Sequence, residues 1–113
     1  MSTIDSATFE KLKNDVGRDF VGELVETYCS ETPQLIAKLR YALEANDSDT
    51  FRRAAHSIKA TSNTFGALSL GEIAKELEMM GRAGDLAGAQ EKMDQLAAEY
   101  DRVQRAFKDL NHA

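Results

Sequence analysis

Read for its alternation of apolar and polar positions, the chain falls into five helical segments. In LAGAQEKMDQLAAEYDRVQRAFKDL, residues Leu86, Ala89, Met93, Leu96, Tyr100, Val103, Phe107 and Leu110 recur at spacings of three and four, which predicts one long helix with a continuous apolar stripe. Ahead of it, Leu70, Ile73, Ala74, Leu77 and Met80 repeat the pattern over about four turns, opened by Ser69 and Glu72 in capping-box spacing and closed at Gly84. A third set, Phe51, Ala55, Ile58, Ser62 and Phe65, follows Asp47 or Ser48 as N-cap and stops at Gly66. Phe20, Leu24, Tyr28, Leu35, Leu39 and Leu43 describe a long helix kinked or interrupted near Pro33. A short opening helix is capped by Asp5, turns Phe9 and Leu12 inward and ends near Gly17.

One proline and seven glycines leave few helix breakers, and no β-branched alternating run competes. The expected fold is all-α. Short connections favour antiparallel neighbours, so the four longer helices should make an antiparallel up-down four-helix bundle, with the first helix packed as a lid at one end. The 113 residues fit one domain over 1–113, with no repeat, low-complexity stretch or linker.

Composition narrows the class. A hydrophobic fraction of 42% and a charged fraction of 29% are those of an ordinary soluble protein. No apolar run approaches the roughly 18 residues a membrane span needs, and the polar opening MSTIDSATFEKLK carries no secretory signal, so a cytoplasmic location is expected. The start at Met1 favours a free-standing protein over a domain cut from a larger sensor kinase. A net charge of −5 argues against general nucleic-acid binding. Cys29 stands alone and is expected to serve helix packing, as the Met79-Met80 pair and Tyr100 serve core or rim.

One of the two histidines lies inside the third helix. On a helical wheel His56 sits roughly 140° from the apolar centre, facing solvent. Arg52, Arg53, Lys59, Ala60 and Asn63 share its side, so a docking molecule should meet positive charge and little bulk. An exposed imidazole serves as nucleophile, base or metal ligand. A metal needs further ligands, and His112 is next to the C-terminus. Self-contained catalysis needs a supporting cleft, and neither a Gly-x-Ser-x-Gly nor a glycine-rich phosphate loop is present. A transient phosphoryl carrier needs only an exposed ring nitrogen, nearby cations, small neighbours and a hydrogen bond fixing the other nitrogen. For that bond, His56 lies about 15 Å before the turn at Gly66 and Glu78 about 18 Å after it, at similar heights on antiparallel helices. Glu78 falls on a flank roughly 110° from its helix's apolar centre, where it could reach across.

The stretch HSIKATSNTFGA resembles the phosphoacceptor motif of histidine-containing phosphotransfer (HPt) domains, H-x-L-K-G-S-S-x-x-x-G-A. His56, Lys59, Ser62, Gly66 and Ala67 match in register and Ile58 stands in for leucine. LSLGEIAKELEMMGR looks like the family's next helix, with Leu70, Ala74, the Leu77-Glu78 pair and Gly81, followed by Arg82. IDSATFEKLKNDVG and the AAH after Asp47 also fit, so the resemblance spans nearly the whole chain.

This resemblance implies a phosphorelay intermediate without turnover of its own. His56 would take a phosphoryl group from an aspartate of one receiver domain, or from a sensor (hybrid) histidine kinase, and pass it to a response-regulator aspartate. Lys59 occupies the position of the assisting lysine and Glu78 that of the residue that orients the imidazole. Arg52, Arg53, Ala60, Asn63 and Arg82 are the expected binding surface. The protein would be a monomer without cofactor, Mg²⁺ being held by the receiver. Besides Ile58, two positions depart from the motif: Ala60 replaces a glycine that leaves room beside the phosphoryl group, and Thr61 replaces the first serine. The rival readings are an adaptor that docks receivers without being phosphorylated and an enzymatic or metal-binding bundle.

Overall fold

Five α-helices make up the regular structure of the described residues, 3–111, of the computed structural model, and no strand occurs among them. They are α1 (Ser6–Val16), α2 (Arg18–Glu44), α3 (Ser48–Phe65), α4 (Leu68–Ala83) and α5 (Ala89–Asn111). The ends follow local chemistry. The Asp5 and Asp47 carboxylates accept from the Thr8 and Thr50 amides, satisfying orphan donors of the first turn. Gly66 (φ 89°) closes α3 in the left-handed region, and the Ala67 amide donates back to the Ser62 carbonyl at 2.8 Å.

Two expected boundaries shift. Helix α4 starts at Leu68, with Ala67 as its cap and no side-chain capping bond, so Ser69 and Glu72 form no capping box. The reason is the tight Gly66–Ala67 turn: fully buried Ala67 already accepts the Gly71 amide, placing Ser69 inside the first turn. Helix α5 starts at Ala89, not Leu86; Leu86 is buried in the connecting loop, and its carbonyl accepts the Ala89 amide.

Helix α2 corrects the expected stripe. It buries Val21, Val25, Tyr28, Thr32, Ile36, Leu39 and Ala42, while Phe20 is exposed and Leu24, Leu35 and Leu43 pack only along the flank. Pro33 does not interrupt it. Continuity through Pro33 holds one register from Val21 to Ala42, and that register selects small and weakly polar residues over the larger ones beside them. A proline withholds one backbone donor from the carbonyl four residues earlier, here that of Cys29. The Tyr100 hydroxyl donates to this carbonyl at 2.8 Å, so α5 supplies what α2 lacks. Cys29 itself is partly buried in the packing, and burial pushes its thiol up from the ordinary range.

Helix α2 packs on α3, α3 on α4, α4 on α5 and α5 on α2, while α1 lies against α2 and α3. The Asp5 amide donates to the Gly66 carbonyl at 2.8 Å, tying the start of α1 to the end of α3. There Phe9, Tyr28, Phe65 and Phe107, one from each of four helices, form an aromatic cluster with centroids 4.8 to 6.1 Å apart. The Tyr28 hydroxyl and Ser62 Oγ, 2.7 Å apart, satisfy each other inside this core. Leu110, expected on the α5 stripe, is exposed because it lies past Phe107, where the core ends. No helix among the described residues is long and apolar enough to cross a membrane.

Candidate functional site

Small residues set the contact between α3 and α4. Ala55 and Ala74 are fully buried, and a Cβ added to Gly81 would come within 2.9 Å of the Arg52 backbone. The two backbones therefore approach closely, and a side chain as short as glutamate spans the gap.

Glu78 uses that proximity. It is 3% exposed, and both oxygens are occupied: Oε1 lies 2.6 Å from Lys59 Nζ, and Oε2 lies 2.8 Å from His56 Nδ1 and 3.3 Å from Arg82 Nη2. Burial pushes the Glu78 carboxyl up, but the hydrogen bonds and charges of Lys59 and His56 outweigh it and hold the group below the usual range. It is a carboxylate, which only accepts, so the facing Nδ1 carries the hydrogen. The His56 side chain is 57% exposed, and its Nε2 has no protein partner among the described residues. The ring is thus held on one side by a buried acceptor and presents a lone pair on the other.

Other candidate residues take different positions. Arg52 and Arg53 both bind Asp49, each at 2.9 Å. Arg52, Arg53, Lys59 and Arg82 are therefore engaged by two carboxylates, which offset half of their positive charge. Asp49, not singled out in the sequence, holds two of them because it stands three and four residues ahead on the same face. Ala60 is exposed one turn beyond His56, and Asn63 lies against Gly71 of α4. Tyr100 is buried at the core edge and Met80 half-buried, whereas Met79 is exposed. No group of three potential metal ligands occurs among the described residues, and His112 lies outside them.

A groove of about 780 Å³ runs between α2 and α3, lined by Leu35, Lys38, Tyr41, Arg53, Ala54 and Ser57 among others. Tyr41 is 73% exposed. These α2 residues were not singled out in the sequence because nothing in α2 alone indicates which turn lies against Arg53 and Ser57 of α3. A signal was available: Tyr41 falls on the face opposite the stripe, where an aromatic has no core to enter.

Comparison with known proteins adds three findings. A family model described as the Hpt domain matches residues 23–106. Among solved structures, the crystal structure of histidine-containing phosphotransfer protein B (HptB) from Pseudomonas aeruginosa PAO1 is similar, with a TM-score of 0.92 and 29% sequence identity over 97% of this chain and 95% of that one. No curated protein sequence matches.

Proposed function

Because the chain belongs to the Hpt domain family, we propose that it is a phosphorelay carrier whose His56 Nε2 receives a phosphoryl group from one partner and yields it to another. The observation that carries this reading is the 2.8 Å bond from His56 Nδ1 to buried Glu78, with the remainder of the ring open to solvent. In uptake from an aspartyl phosphate, the Nε2 lone pair forms the N–P bond as the acyl O–P bond breaks and its electron pair returns to the carboxylate. The ring already carries its proton on Nδ1, so no proton must leave. It becomes an imidazolium, and the adjoining Glu78 carboxylate stabilises that charge. Passing the group to a second aspartate reverses these steps.

The helix pairings and tight turns support an antiparallel up-down arrangement of α2 to α5, with α1 across one end. The partners of this reading are receiver domains and a sensor (hybrid) histidine kinase, with Mg²⁺ bound by the receiver. The α2–α3 groove, with Tyr41 and Lys38 facing Arg53 and Ser57, the latter next to His56 in sequence, suits an amphipathic receiver surface. Incubation with a phosphorylated receiver tests the proposal. Label should reach wild-type protein, be absent from His56→Gln, and leave the helical signal of that variant unchanged, since His56 is outside the core. Intact receiver binding with no label on wild type would replace the carrier with an adaptor.

A further inference from the structure

The two cations on Glu78 are held unequally. Lys59 is close at 2.6 Å with its side chain 27% exposed, whereas Arg82 is at 3.3 Å with its side chain 68% exposed. The first is seated, and the second is longer than a settled charge-assisted bond. This distribution poses a difficulty for phosphorylated His56. A phosphoryl group brings about two negative charges to a ring one turn before Lys59, and the lysine stem is long and flexible enough to turn to it. Yet turning would leave Oε1 of a carboxylate that is 3% exposed without its donor, since the imidazolium occupies only Oε2, and a buried acceptor that loses its donor is destabilised.

We propose that Arg82 is a positioning residue that takes over Glu78 when Lys59 turns to the phosphoryl group. Arg82 follows Glu78 by four residues on α4, with the acid nearer the N-terminus, the favourable order for such a pair. Its planar fork already touches Oε2, and when Lys59 vacates Oε1 the same guanidinium can bind both oxygens. Glu78 then remains ionised and stays bonded to His56 Nδ1–H, as the imidazolium requires. Exposure equips Arg82 for this: it moves without disturbing the core. The inference rests on the carrier reading above and adds an exchange of cations to it.

A donor that needs no docking surface isolates the effect. With phosphoramidate, Nε2 attacks phosphorus, the P–N bond breaks, and ammonia leaves with its electron pair; uptake is followed by ³¹P resonance and intact mass. Arg82→Ala should slow uptake roughly fivefold, a coupling ordinary for neighbours in one network, and Arg82→Lys should restore part of the rate. In a Lys59→Ala background there is no lysine to release, so Arg82→Ala should change the rate little further. Equal rates for wild type and Arg82→Ala, or the same fold-loss in both backgrounds, would overturn the exchange while leaving the carrier intact. Failure of wild-type His56 to accept label from either phosphoramidate or a receiver would overturn the carrier reading and the exchange with it.

Discussion

Ala60 puts an exposed methyl one turn beyond His56, where the resembling motif has glycine. Its surroundings are ordinary helix: its carbonyl accepts the Thr64 hydroxyl at 3.0 Å. Replacing it with glycine removes a small obstacle from the approach to His56 and adds backbone freedom to a helix interior. Ala60→Gly should therefore keep or raise the transfer rate while lowering stability by about 1 kcal/mol; urea unfolding and a receiver time course read the two effects separately. A slower rate at unchanged stability would mean that the methyl helps seat the partner. Glu78 illustrates the other side of residue-scale reasoning. Its flank position is visible on a helical wheel, but its three partners belong to two helices, and no rule of spacing assigns Lys59 to one oxygen and His56 to the other.

Helix α2 shows how one element depends on another. Pro33 leaves the Cys29 carbonyl without its helical donor, and the Tyr100 hydroxyl of α5 fills the place. Tyr100→Phe should cost about 1 to 2 kcal/mol, the penalty of an acceptor left unpaired away from water. Pro33→Ala restores a backbone donor to the same carbonyl, so the Tyr100→Phe penalty should be smaller in that background. Denaturant unfolding of the four variants measures the difference, and equal penalties with and without Pro33 would show that the hydroxyl does not compensate for the proline. The α2 stripe has the same lesson. Val21, Thr32 and Ala42 are less apolar than Phe20, Leu35 and Leu43, yet they are buried because the packed register passes through them.

At the scale of the whole fold, five carboxylates among the described residues lie below their ordinary ranges. The Thr8 and Thr50 hydroxyls lower Asp5 and Asp47, Arg18 lowers Glu10, Arg52 lowers Asp49, and Lys59 with His56 lowers Glu78 against the opposing effect of burial. Unfolding returns them to ordinary values of 3.8 for aspartate and 4.5 for glutamate, so between the folded and unfolded values the unfolded chain binds more protons. Their stabilisation is complete above about pH 5 and is lost as pH falls through 4.5 and below. Urea midpoints at a series of pH values should decline over that window, less steeply in Glu78→Gln; a flat profile would remove these contacts from the stability of the fold. By itself the sequence determined what local rules govern: caps at Asp5 and at Asp47 or Ser48, stops at Gly17, Gly66 and Gly84, five helices between them, and an outward His56. Each of those depends on residues within a turn or two of one another. Tertiary structure alone decided that Pro33 lies in an unbroken helix and that Glu78 is buried with His56 and Lys59 of the neighbouring helix on its two oxygens. Those outcomes depend on how closely separate helices approach, and that distance is set by side chains such as Ala55, Ala74 and Gly81, which touch across the fold and are far apart along the chain.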